Sequence, residues 1–128
     1  MIGVINILEN DVSVAGVVSD RVFPIERQQG TNLPAITVDV TDVEPNGTKD
    51  GVSTLDEEFT RVTNYAQTLV ECLLLAGFSR AALDRYTGTN QGVVIQQIDF
   101  LSEIPNKAQI NNKRVYTIEQ QYKVRVIR

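Results

Sequence analysis

At 128 residues the chain is one domain by length, 1–128, and large enough to bury roughly two thirds of the surface its unfolded form exposes. Hydrophobic residues make up 42% and charged residues 22%, values of an ordinary globular domain, and no apolar run approaches the ~20 residues of a membrane helix. The formal charge is −4 and histidine is absent, which removes the commonest general base, the usual metal ligand and any Ser-His or Cys-His nucleophile pair.

In chain order, Ile2, Ile5 and Leu8 stand at helical spacing, with Val4 and Ile7 widening the stripe, and predict a short N-terminal helix. No basic region accompanies them, so no secretory signal is expected. Asn10 and Asp11 interrupt the pattern, and Asp11 is placed to cap a second helical turn over 12–17. Two proline-marked segments follow. Asp20-Arg21-Val22-Phe23-Pro24 opens an extended piece over 22–26, and the turn Gln28-Gln29-Gly30-Thr31-Asn32 leads to Leu33-Pro34-Ala35-Ile36-Thr37-Val38. Proline cannot donate to a sheet ladder and pushes its predecessor out of the helical region, so Pro24 and Pro34 belong at strand ends or on an edge. Residues 34–43 alternate, with Ile36, Val38 and Val40 against Thr37, Asp39 and Thr41, which predicts a half-buried strand.

Residues 44–54 are rich in turn formers (Pro45-Asn46-Gly47, then Lys49-Asp50-Gly51) and predict an exposed loop reaching away from the body. The next stretch reads two ways. Leu55, Phe59, Val62, Ala66, Leu69, Leu73 and Ala76 fit one helix over 55–76, capped by Ser53 or Thr54 with Asp56, Glu57 and Glu58 in its first turn. Phe59-Thr60-Arg61-Val62-Thr63-Asn64-Tyr65 is instead rich in strand formers, and favours a strand over 57–65 with a helix from about 67. Leu69, Val70, Leu73, Leu74, Ala81, Ala82 and Leu83 carry that helix through Asp84-Arg85-Tyr86 to a stop at Gly88. Gly77 within it costs ~1 kcal/mol relative to alanine, which predicts a close backbone contact or a break. Residues 93–101 read as a strand, and 104–113, with Pro105-Asn106 and Asn111-Asn112, as a polar loop. The last strand sets Tyr116, Ile118, Tyr122, Val124 and Val126 on one face and Thr117, Glu119, Gln121, Lys123 and Arg125 on the other, a solvated or ring-contacting surface.

None of the chemistry-bearing groups forms a recognisable reaction centre. Cys72 is the single cysteine; it excludes an internal disulfide, fits a reducing compartment, and among leucines reads as a small buried hydrophobe. Asp56-Glu57-Glu58 offers oxygen ligands for a hard cation, but neighbouring residues point in different directions and no EF-hand spacing follows, so the run reads as a solvated acidic edge. Asn46-Gly47-Thr48 reads as a turn. Gly88-Thr89-Asn90-Gln91-Gly92 joins a helix to a strand, with no helix following to hold phosphate. Lys113, Arg114, Lys123, Arg125 and Arg128 make a basic stripe without interleaved exposed aromatics, weak support for single-strand binding. Charge is unevenly divided: residues 1–60 hold eleven acidic against three basic side chains, residues 61–128 nine basic against five acidic. The division suggests surfaces of opposite sign that meet between copies of the chain.

Taken together, the ordered blocks Asp20-Arg21-Val22-Phe23-Pro24, Leu33-Pro34-Ala35-Ile36, Lys49-Asp50-Gly51-Val52-Ser53-Thr54-Leu55-Asp56-Glu57, Tyr65-Ala66-Gln67-Thr68 and Leu83-Asp84-Arg85-Tyr86, with the alternating C-terminal strand, resemble the phage tail completion family, the tail terminators of long-tailed phages and prophages. In that family a strand precedes the Tyr-Ala-x-Thr block and the main helix follows it, which divides 55–76 at about residue 66. Asn64, where an apolar strand residue is usual, and Gly77 depart from the pattern. The resemblance implies an α+β fold: a mostly antiparallel sheet of about four to five strands against one main helix, plus a short N-terminal helix. It also implies a non-enzymatic subunit of a ring, typically a hexamer, that caps the tail tube, ends its growth and presents the surface joining the head. Its partners are then further copies of itself, the tube protein and a head-completion or connector protein. DNA passes through without sequence-specific contact, and no membrane, metal or cofactor is involved. The expected location is the head–tail junction of the virion, after assembly in the host cytoplasm. Candidate interface residues are Asp50, Asp56, Glu57, Glu58, Lys107, Lys113, Arg114, Lys123 and Arg125, with the loops at 44–56 and 103–113 as contacts to tube or neck. Two alternatives stand beside this: a head-completion or connector subunit, and a small metal-dependent hydrolase using Asp50, Asp56, Glu57 and Glu58.

Overall fold

A computed structural model of the chain describes residues 2–19, 21–24, 33–45, 55–90, 92–110 and 113–127. Two short helices, α1 (Ile2–Asn10) and α2 (Val12–Val18), precede the strands β1 (Val22–Pro24), β2 (Ala35–Pro45) and β3 (Leu55–Ala66). The main helix α3 (Leu69–Leu83) follows, then β4 (Gly88–Asn90), β5 (Val93–Ile110) and β6 (Lys113–Ile127). The strands form one six-stranded sheet in the order β1-β2-β3-β6-β5-β4, parallel only between β1 and β2. The fold is thus α+β and mostly antiparallel, with one strand more than the sequence suggests. The addition is the three-residue edge strand β4, too short to show alternation, while β1 falls within the extended piece expected over 22–26.

Local chemistry explains most boundaries. The Asp11 carboxylate accepts from the N–H groups of Ser13 and Val14, both at 3.0 Å, and starts α2 as its position in the sequence requires. Pro24 closes edge strand β1, and Pro34 stands just ahead of β2, so both prolines avoid the ladder. Between the two readings of 55–76 the structure takes the strand and the helix. Thr68 Oγ1 accepts from the Glu71 N–H at 3.2 Å, which caps α3 two residues after β3 ends.

Three sequence expectations are corrected. Residues 104–110 are not loop: β5 runs on to Ile110 and stays paired with β6 as far as Ile110↔Lys113. Every residue from Leu101 to Lys107 is exposed, so neither face of this edge segment carries the covered side that alternation reports. Pro105 is tolerated there because an edge strand has one unpaired side. Helix α3 ends at Leu83, not at Gly88. The Asp84 carboxylate accepts from the Phe100 N–H at 3.2 Å, and Arg85, at a φ of 66°, donates its N–H to the Ile98 carbonyl at 2.7 Å. Those bonds to β5 turn the chain out of the helix five residues early. Gly77 marks neither a break nor a close approach, since α3 is continuous and no atom lies within 4 Å of where a Cβ would stand. Gly77→Ala is therefore expected to stabilise the free chain by about 1 kcal/mol, a rise of about 4 °C in melting temperature. A lower melting temperature would contradict the open surroundings.

The helices cover one face of the sheet. Val4, Ile7 and Leu8 of α1, Val14 and Val18 of α2, and Leu75 and Leu83 of α3 pack with Ile36, Val38, Val62, Ile98, Tyr122 and Val124 in the main core. In α1 the buried positions are thus the residues that widened the stripe, plus Leu8. Phe100 meets Tyr122 edge-on, with ring centroids 5.6 Å apart, and the Arg80 guanidinium lies 3.9 Å from the Phe100 centroid.

Under α3 the core turns polar. The Asn64 amide donates to the Ile118 carbonyl at 3.0 Å and to Gln120 Oε1 at 3.2 Å, and its own oxygen accepts from the Ser79 hydroxyl at 2.8 Å. The Gln120 amide donates to the Ala76 carbonyl at 2.9 Å and to Glu103 Oε1 at 3.0 Å, while Tyr122 donates its hydroxyl proton to Gln120 Oε1 at 3.0 Å. Asn64, Ser79 and Gln120 are fully buried. Asn64 therefore replaces an apolar strand residue by tying helix to sheet.

Candidate functional site

Among the described residues no helix packs on the opposite face of the sheet, and alternation places polar side chains on it. Asp39 of β2, Arg61 of β3 and Glu119 of β6 line up across three strands: Arg61 Nε donates to Asp39 Oδ1 at 3.1 Å and its Nη1 to Glu119 Oε1 at 3.3 Å. The Asp39 bond, chiefly, raises the Arg61 pKa above its ordinary value. Glu57 of β3 faces Arg125 of β6 at 3.7 Å, toward the end of the sheet where β2 and β3 are joined. Lys123 sits between Phe59 and Asp99 in the cross-strand register. These charges are half-buried, and Arg61 and Arg125 each have an acidic partner within the chain.

The candidate interface residues separate accordingly. Glu57 and Arg125 come together; Asp56 is buried on the helix side of β3, and Glu58 alternates to that same side. The three carboxylates at 56–58 thus do not converge, and among the described residues no group of three acidic, Cys or His side chains could hold a metal. Lys107 and Arg114 are exposed near the far end of the β5–β6 hairpin, opposite Tyr116 and Gln109 respectively. Lys113 pairs with Ile110 there through its backbone. Asp50 and most of the loop at 44–56 lie outside the described residues, as do Asn46-Gly47-Thr48 and Arg128.

Cys72 is buried on the sheet side of α3, its thiol donating 3.4 Å to the carbonyls of Asn64 and Tyr116. Burial is the main cause of a pKa pushed up to about 11, so the nucleophilic thiolate is scarce at neutral pH. Iodoacetamide at pH 8 is expected to leave the native chain unlabelled and to label it in urea. Rapid native labelling would contradict this burial.

The feature that sequence reasoning missed is the outer surface of α3. Its buried residues are Cys72, Leu75, Ala76, Ser79 and Leu83, which leaves Leu69, Leu73 and Leu74 about half exposed and Val70 77% exposed. The signal was present: the run from Leu69 to Ala76 is apolar nearly all round, and a helix resting on one sheet needs only one apolar stripe. Leu69, Val70, Leu73 and Leu74 are thus four large apolar neighbours on one surface, in contrast to the singly scattered exposure usual for a monomer.

No protein-family model and no curated protein matches the chain. Among solved structures, a chain of the "Virion of native gene transfer agent (GTA) particle" has the same fold, with a TM-score of 0.78 over 98% of this chain and 92% of that one. Sequence identity is 14%, so the likeness is one of fold.

Proposed function

We propose that this chain is a non-enzymatic virion assembly protein, a tail-terminator-like subunit. Its copies form a ring, a hexamer by the resemblance, that caps the tail tube, stops its growth and presents the surface to which the head is joined. The observation that carries the reading is the fold likeness, end to end, to a chain of a phage-like virion. Fold alone does not fix function. Here it agrees with the ordered residue blocks of the tail completion family and with an apolar surface on α3 that calls for a protein partner. The work of such a subunit is binding, so the sheet's matched charges and polar core serve to hold contact surfaces in place rather than to turn over a substrate. Its place is then the head–tail junction, after assembly in the host cytoplasm, with the tube protein on one side and a head-completion protein on the other.

The test is negative-stain microscopy of tail tubes assembled from the tube protein of the same genome, with and without this chain. Ring-capped tubes of uniform length are expected with it, and overlong uncapped tubes without it. Tubes of unchanged length, together with copurification on filled tailless heads, would move the assignment to a connector subunit of the neck. Lys123→Glu and Arg125→Glu, charge reversals on the uncovered sheet face, are expected to leave tubes uncapped; normal capping would remove that face from the interface.

A further inference from the structure

The two ends of the sheet along its strand direction are not alike. At the end where β2 runs toward β3, Asp42 and Glu44 are exposed, Glu57 stands opposite Glu44, and Val43 between them is 47% exposed. Among the described residues, Arg125 is paired with Glu57 at this acidic corner. The other end is basic. Lys107 and Arg114 are exposed near the tip of the β5–β6 hairpin, and the first half of α3 lies beside them. The Cys72 thiol there reaches the carbonyl of Tyr116, the residue that Lys107 faces across the hairpin. Exposed Leu69, Val70 and Leu73 thus accompany a positive end, and exposed Val43 accompanies a negative one.

We propose that the partner of the basic end, with its apolar α3 surface, is the acidic β2–β3 corner of a second copy of this chain. The inference rests on the reading that copies form a ring, and it names the two surfaces that meet. The contact is heterologous, because the two patches differ, and such a contact closes into a ring when its rotation permits. Opposite charges fix which end meets which, since two acidic or two basic ends repel, while the apolar side chains supply the burial that holds the contact. Among the described residues, Asp42 and Glu44 are the exposed acidic side chains at one end, and Lys107 and Arg114 the exposed basic side chains at the other.

Sedimentation velocity on the full chain, over a concentration series at low and high salt, tests this. Wild-type protein is expected to self-associate at low salt and at least tenfold more weakly at about 0.5 M salt, where the screening length falls to a few Å. Asp42→Lys with Glu44→Lys, and separately Lys107→Glu with Arg114→Glu, are each expected to weaken association at least tenfold. A chain carrying all four reversals has its signs exchanged end for end and is expected to recover. Association of either two-fold variant at wild-type strength, no recovery in the four-fold variant, or a wild-type chain that stays monomeric throughout overturns the proposal. Unchanged melting temperatures show that the variants fold. Tube capping is read separately: normal capping by both reversal variants overturns this docking alone. A wild-type chain that associates as described but leaves tubes uncapped overturns the terminator reading alone.

Discussion

Gln120→Ala is expected to lower folding stability by about 3 kcal/mol, read as a drop in urea midpoint with little change in slope. The side chain is fully buried and joins three elements: it accepts from Asn64 of β3 and from Tyr122 of its own strand, and donates to the Ala76 carbonyl of α3 and to Glu103 of β5. Truncation deletes four hydrogen bonds and leaves the Tyr122 hydroxyl in the core without its acceptor. A stranded buried polar group costs more than the net gain of an average hydrogen bond, which sets the magnitude above ~1 kcal/mol. Asn64→Ala is expected to cost about as much, and the double variant less than the sum, because each change already damages the other's partners. Strict additivity would show that the two amides act independently.

Leu75→Ala is expected to cost about 3 kcal/mol, near a 10 °C fall in melting temperature for a chain of this size. Leu75 is wholly buried against the sheet, so truncation leaves a cavity as well as lost apolar burial. Leu74→Ala, one position earlier, is the matched control. That side chain is 53% exposed, and its loss is expected to change the stability of the free chain by less than about 1 kcal/mol while weakening self-association. Equal effects on melting temperature at 74 and 75 would mean that α3 is rotated from the orientation described.

The contrast between these neighbours shows where the sequence is legible. The alternation over 34–43 and in the last strand carried the sheet correctly, because Ile36 and Val38, and Ile118, Tyr122, Val124 and Val126, are buried while Asp39, Thr41, Glu119, Lys123 and Arg125 are not. The division of 55–76 was read from the β-branched and aromatic residues at 59–65 and from the family resemblance, and the Thr68 cap is what the structure adds to it. Within α3, by contrast, apolar residues surround the axis, and composition alone does not say which leucines meet the sheet. The hairpin arm at 104–110 was unreadable for the complementary reason: both faces are exposed over 104–107, so nothing in the side-chain pattern there reports the backbone pairing. Asn64 looked like a departure from a family pattern because its value depends on Ser79 and Gln120, 15 and 56 positions away, which only the folded chain brings together. Of the surfaces proposed to meet between copies, the opposite charges follow from the uneven division of charge along the sequence. Their apolar component was not legible there.

The position of β6 has a consequence for how the fold is reached. It is the last element in chain order, yet it lies between β3 and β5 in the sheet. On the ribosome, the earlier strands therefore emerge with the middle of their sheet missing, and β3 waits with an open flank for a strand some fifty residues downstream. Closing that gap is a long-range event, slow by topology. Until it happens, the Val62 and Asn64 side of β3 has no complete layer to pack in, and the exposed flank is open to pairing with other nascent chains. The docking proposed for this hairpin would thereby be ordered after folding: the hairpin that carries Lys107 and Arg114 does not exist until its second strand has been made.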